Sequence, residues 1–412
     1  MKILCGLSRY QFGIEERGET TEYVAFLPAL ARLGHEVVHF ETCNPSRYPT
    51  YSDLNHALLT EVKRLRPDII LTVQRDYEIW VETLLRIREL GDVALITWTT
   101  DDSFKFNRVS QFIGPYYDAI STTYEYRLAD YNRTGIKGSF LTQWAANAHW
   151  LNPPKLARDC RYAVSFVGSS YGGRAEMIQR LKGAGIDVQC FGYGWPSGPI
   201  TSEQIPYIMN NSVISLNFCS GFMNDGSDSR QIKARTFEVP GAGGFLLTDS
   251  APGLDKIYQI GREIEVYDGL NDLEVKIRHY LLHTDERDQI AWAGHLKTAR
   301  CHTYDQRLKD LLQFGLKMRD LRLRQQEQDS IVPTAAVGVS LPLPKLGMAL
   351  RVLRWSLVRT CCLLWGPQRG LKAARRATFE VSLRIFGAKT FSAMSIPGRM
   401  FPPLFVKSVG ST

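Results

Sequence analysis

The sequence has no run of about 18 uncharged apolar residues, so no stretch of it reads as a membrane-crossing helix. It has no C-x-x-C pair. Its eight cysteines (Cys5, Cys43, Cys160, Cys190, Cys219, Cys301, Cys361 and Cys362) are scattered, several inside strand-like runs. That argues against a zinc site or a disulfide frame and for reduced, buried thiols in a cytosolic protein. The opening apolar run, M-K-I-L-C-G-L, is too short for a signal peptide and reads as a first strand. No G-x-x-x-x-G-K-S/T occurs, and the histidines form no ligand spacing. Acids are almost missing from one region. From Leu341 onward 12 Lys and Arg face the single acid Glu380, a net of +11 in a chain of +8, which leaves about −3 for the first 340 residues. The basic balance belongs to the tail, so a nucleic-acid role for the body has little support.

What is present is ordinary globular composition, 44% hydrophobic and 22% charged, in 412 residues, enough for two cores. Apolar runs at Lys2–Leu7, Val37–Phe40, Ile69–Val73, Val93–Trp98 and Ala119–Thr123 alternate with helical stretches, the first helix expected over Thr21–Leu33 with Gly34 as its cap and Pro28 bending it or marking a late start. After N-P-P at Asn152–Pro154 a second series holds Ala163–Val167, Val188–Phe191, Val213–Phe218, Gly244–Thr248 and Glu263–Val266. Capping boxes are expected at Asn271 and Thr303. The division is 1–150, an N-terminal α/β domain; 151–325, a second such domain; and 326–412, a linker and basic tail. Within 343–412, Leu350–Leu364 and Leu371–Phe386 mix Leu, Val, Trp and Phe with arginine. That fits an anionic membrane surface, or equally a helix pair packed on the body.

Ligands of open α/β sheets lie beyond the carboxyl ends of strands. Asp101 and Asp102 follow the fourth run, where one carboxylate could orient an acceptor hydroxyl or take its proton; a solvent-facing helix cap is the plainer reading. Gly168 and Ser169 let backbone approach a ligand, and Arg174 could hold phosphate oxygens. Tyr193 or Trp195 could stack on a base or serve as core aromatics. The segment Ser227–Asp249 reads as a helix capped by Ser227, Asp228 or Ser229, a glycine turn and a buried strand. Its first-turn N–H groups and Lys233 would face a diphosphate, with Lys233 and Arg235 offsetting charge on the leaving group. Glu238 could accept from a sugar hydroxyl, or pair with the cations at helical spacing.

This segment, together with W-T-T-D-D-S-F at Trp98–Phe104, V-S-F-V-G-S-S-Y-G-G-R at Val164–Arg174, F-G-Y-G-W at Phe191–Trp195 and H-T-Y-D-Q-R at His302–Arg307, resembles the glycosyltransferase group 1 family, in its CgeB spore-maturation branch, over residues 1–315. The resemblance implies GT-B architecture, two doubly wound Rossmann-like domains facing a cleft, with a last helix, assigned to the one starting near Thr303, crossing back to the first. It implies a retaining, metal-independent hexosyltransferase without a cofactor, its substrates a nucleotide-sugar donor and a glycan or other hydroxyl acceptor in bacterial surface polysaccharide or glycoconjugate synthesis. It places the 168–174 loop on the nucleotide and Glu238 on the ribose as the second glutamate of E-x7-E. Arg230 stands where the first glutamate would meet the sugar. That departure keeps open a non-catalytic GT-B protein that binds glycan or nucleotide in surface or spore-layer assembly. The expected location is cytoplasmic, peripheral at the inner face of the plasma membrane through the tail.

Overall fold

A computed structural model describes residues 1–44, 47–48, 51–75, 78–219, 230–329, 348–387, 390 and 395–400. The chain divides into two compact units: 1–13, 34–142 and 310–412 form the first; 14–33 and 143–309 form the second. In chain order the elements up to residue 142 are β1 (Lys2–Leu7), α1 (Thr21–Arg32), β2 (Glu36–Glu41), α2 (Tyr51–Leu65), β3 (Ile69–Thr72), α3 (Val81–Glu89), β4 (Ala94–Trp98), α4 (Asp102–Lys105), α5 (Gln111–Ile113), β5 (Ala119–Thr122), α6 (Arg127–Arg133) and β6 (Ser139–Leu141). The six strands make one parallel sheet in the order β2-β1-β3-β4-β5-β6. Every residue of β3, β4 and β5 is buried, as a parallel sheet covered by helices requires. Although α1 precedes β2, it belongs to the second unit, capped by the Thr20 hydroxyl, which accepts from Tyr23 N at 3.2 Å. It begins at Thr21 and includes Pro28, so the proline does not mark a late start.

The second unit continues with β7 (Tyr162–Val167), α7 (Arg174–Gly183), β8 (Gln189–Phe191), α8 (Gln204–Asn210), β9 (Ser212–Asn217), α9 (Arg235–Gly241), β10 (Leu246–Asp249), β11 (Glu265–Tyr267), α10 (Gly269–Leu282) and α11 (Thr284–Cys301). Its parallel sheet runs β11-β10-β9-β7-β8, a doubly wound order in which the crossovers leave β7 in opposite directions. All ten sequence-derived strands are present within two residues of their expected bounds. The added strand, β6, is only three residues long. The expected box at Asn271 is displaced, because α10 begins at Gly269 and the Asp272 carboxylate accepts from Asp268 N at 2.9 Å. At Thr303 half of the box forms: Gln306 Oε1 accepts from Thr303 N at 3.1 Å and also from the Thr303 hydroxyl at 3.2 Å.

From that box starts α12 (Tyr304–Asp329), whose first turns belong to the second unit and whose remainder, from Asp310, belongs to the first. A Cβ at Gly315 would sit 2.3 Å from the Ile96 side chain, so glycine is what lets this helix lie on β4. Arg322 pairs with the buried Asp118 at 2.7 Å. The helix continues through the stretch Gln325–Asp329 that reads as linker in sequence, because its first-unit contacts hold it; the following Pro-rich stretch lies outside the described residues. Three helices complete the first unit: α13 (Met348–Trp365), α14 (Pro367–Phe386) and α15 (Ile396–Met400). Phe379 of α14 enters the first unit's core, Arg375 donates to the Tyr51 hydroxyl, and Glu380 pairs with Arg108 at 3.0 Å.

Candidate active site

In the second unit the order of strands reverses between β7 and β9, and the crevice beyond the carboxyl ends of those two strands is where such a sheet takes a ligand. Arg174, the first residue of α7, fills that point. Its guanidinium donates to Ser169 O at 3.0 Å and to Phe218 O at 3.4 Å, so it spans the loops leaving β7 and β9. The guanidinium carbon lies 3.9 Å from the Tyr171 ring centroid and 5.3 Å from that of Phe166. Burial lowers its pKa, with the neighbouring Arg235 charge in the same direction, and among the described residues its buried Nε has no hydrogen-bond partner. A desolvated guanidinium at the switch point has the chemistry to hold an anion.

The glycine loops after β7 and β8 are laced together. Gly168 N donates to Phe191 O, and Ser170 N to Tyr193 O, both at 2.8 Å. Gly192 has φ +129° and a Cβ there would lie 2.7 Å from Gly168 O, so no other residue fits. The Trp195 indole donates to Gly168 O at 2.7 Å and sits edge-on to Phe166, a scaffold position. Tyr193 stands outside, 60% exposed, with Arg17 over its ring at 5.7 Å.

The third side comes from the segment before β10. Ser227, Asp228 and Ser229 lie outside the described residues, and the helix begins only at Arg235 and ends at Gly241 with Pro240 inside it, too short to present the expected capped first turn to a ligand. Lys233 therefore precedes the helix, its ammonium donating to Gln231 Oε1 at 2.9 Å. Arg235 donates to Val167 O at the end of β7 and pairs with Glu238 at 2.9 Å. Glu238 is only 3% exposed, and burial pushes its pKa up while Arg235 pulls it back. Arg174 and Arg235 thus converge on the two ends of the β7 exit, Ser169 O and Val167 O. Asp249, unassigned in the sequence reading, closes β10 beside them: it accepts from Cys219 N at 2.5 Å, burial raises its pKa, and the Arg230 charge opposes that rise. Arg230 also lines a cavity of about 370 Å³ with Ser250, Pro252 and Asp255. An acid ending the strand after the glycine turn was the only signal for Asp249.

In the first unit the acid pair splits into two environments. Asp102 is 1% exposed and accepts from Ser110 Oγ at 2.5 Å, Tyr131 Oη at 2.7 Å and Thr99 Oγ1 at 3.0 Å. Its carboxylate is a buried hub. Asp101 is half-buried with φ +59°, a left-handed conformation that costs a non-glycine residue about 1 kcal/mol or more. His302 is buried against Phe237 and Tyr258, and accepts at Nδ1 from Arg307 at 2.8 Å.

Two parallel-sheet α/β units of six and five strands, with a helical C-terminal part, are the GT-B fold of glycosyltransferases. Residues 174–313, a span that opens at Arg174, match the family described as glycosyl transferase-like. The structure resembles a glycosyltransferase from Rickettsia africae ESF-5 (15% identity, TM-score 0.50, covering 77% of this chain and 98% of that one). It resembles the sucrose-phosphate synthase of Thermosynechococcus elongatus (11% identity, TM-score 0.55, 80% and 100%). It also resembles Anabaena HepE in complex with UDP-glucose (10% identity, TM-score 0.51, 79% and 100%). At these identities the likeness is one of fold. No curated protein matches the chain.

Proposed function

We propose that the protein is a glycosyltransferase of the CgeB-type branch, moving a sugar from a nucleotide-sugar to an acceptor hydroxyl in bacterial surface polysaccharide or glycoconjugate synthesis, with retention and without a metal, in the cytoplasm at the inner face of the plasma membrane. The observation that supports this best is Arg174, a desolvated cation spanning the ends of β7 and β9, with an Nε donor that has no partner among the described residues. In the reaction the bond from the anomeric carbon to the diphosphate breaks and one to the acceptor oxygen forms. The acceptor proton leaves to a carboxylate. Three hydroxyls already occupy Asp102, so we assign that role to Asp101. Arg174, Lys233 and Arg235 offset the charge left on the diphosphate, and Glu238 beside Arg235 marks the ribose. The donor and the acceptor are the only reactants this mechanism uses.

The test is calorimetric titration of UDP, GDP, dTDP and ADP, UDP first because HepE is seen with UDP-glucose. One nucleotide should bind at about micromolar Kd, roughly 8 kcal/mol, and both Lys233→Ala and Glu238→Ala should lose it. No binding by any of the four ends the transferase reading. A second reading, a non-catalytic GT-B protein in surface or spore-layer assembly, is favoured by Arg230 in place of the sugar-contacting glutamate; nucleotide binding without turnover of any nucleotide-sugar would select it.

A further inference from the structure

The helix α13 is apolar on two opposite sides. Leu350, Leu357, Val358 and Cys361 share one side and pack with Ala374, Ile396 and Met400 of α14 and α15. Met348, Val352, Trp355, Arg359 and Leu363, spaced by three and four residues, share the other, and all are exposed. Trp355 is 60% exposed and Leu363 79%, while the Arg359 guanidinium lies 5.0 Å from the Trp355 ring centroid. On α14 the inner side is used by Phe379 in the first unit's core, which leaves Val381, Arg384 and Ile385 exposed. A folded helix hairpin anchored on one side thus presents apolar and aromatic side chains interleaved with arginine on the other.

We propose that this outer face of α13 and α14 is a docking surface for an anionic lipid bilayer, an inference that rests on the peripheral placement proposed above and names the side chains that achieve it. Charge complementarity selects the occupant: 12 basic residues against one acid from Leu341 onward match lipid phosphate, and a basic helix carrying Trp and Leu is the composition that settles at the headgroup boundary. No helix among the described residues is long and apolar enough to cross a membrane, so the hairpin lies on the surface. Trp355 and Leu363 enter the acyl boundary, and Arg359 and Arg384 stay level with the phosphates.

The full chain is sedimented with vesicles of phosphatidylcholine alone and of equal parts phosphatidylcholine and phosphatidylglycerol, at low and raised salt. Binding is expected to the anionic vesicles only and to weaken with salt. The double variant Trp355→Ser with Leu363→Ser should lower it about tenfold or more, and Arg359→Gln with Arg384→Gln should lower it and flatten its salt dependence. Because these side chains are exposed, unchanged melting curves check that the fold survives. Wild-type protein that binds neither vesicle overturns the peripheral placement and this surface together. Wild-type binding that both variants retain leaves the placement standing and overturns the assignment to this face. A concentration-dependent dimer dissolved by the serine variant gives the surface to a second copy of the chain, which also overturns it.

Discussion

At the scale of single residues, the second unit stores its charges out of water. His302, between Phe237 and Tyr258, has its pKa lowered from 6.5 to about 4, first by burial and then by the Arg307 charge that donates to its Nδ1. Its proton is refused by the folded chain and accepted by the unfolded one. Stability from this residue is therefore complete above pH 6.5 and drains away as pH falls toward 4, by up to about 3 kcal/mol. Urea melts at both ends of that range should show a smaller acid loss for His302→Gln than for wild type. Glu238 has the opposite sign, since burial raises its carboxyl and favours the neutral form. Arg235→Gln strands the carboxylate at neutral pH and should cost about 2 kcal/mol, discounted for the partly exposed arginine. That cost shrinks in acid as Glu238 takes a proton, which the same melts measure.

At the scale of elements, the site depends on how closely the loops after β7 and β8 can approach. Gly192→Ala places a methyl 2.7 Å from Gly168 O at a positive φ, and should destabilise the unit by about 1–3 kcal/mol. Nucleotide titration should show weakened binding in the same variant, because the Gly168 loop carries the Ser169 carbonyl that holds Arg174. In the first unit, Arg322→Ala would leave the Asp118 side chain, 1% exposed, with Arg88 at 3.7 Å as its remaining ion pair. A thermal melt should register a loss of about 2–3 kcal/mol.

At the scale of the molecule, each unit has its own sheet and its own core. If the donor nucleotide binds at the switch point, ligand at a hundred times its Kd adds about 2.7 kcal/mol to the second unit. Hydrogen exchange with saturating UDP should then slow in the loops following β7 to β10 and leave the β1–β6 sheet unchanged. Protection spread evenly over both sheets would point to a binding site elsewhere.

Much of this was legible in the chain. A buried parallel strand is an uninterrupted apolar run, so β1 to β5 and β7 to β11 could be read almost to their ends, and Gly168 to Arg174 stood out because glycines and an arginine directly follow one. Short β6 carried too few residues to show, and the helix after Lys233 began later than its capping residues suggested because helix starts are decided by what the first turn packs against. Local periodicity and composition are enough to set the two α/β series, the strands that end in glycine and charge, and the basic tail. Packing between distant segments is what puts β7 between β8 and β9, has Asp102 accept from Ser110, Tyr131 and Thr99 while Asp101 stays outside that network, brings Asp249 beside Cys219, and seats one face of α14 in the first unit's core. Those are relations between residues far apart in the chain, set by strand order and packing, and no local pattern encodes them.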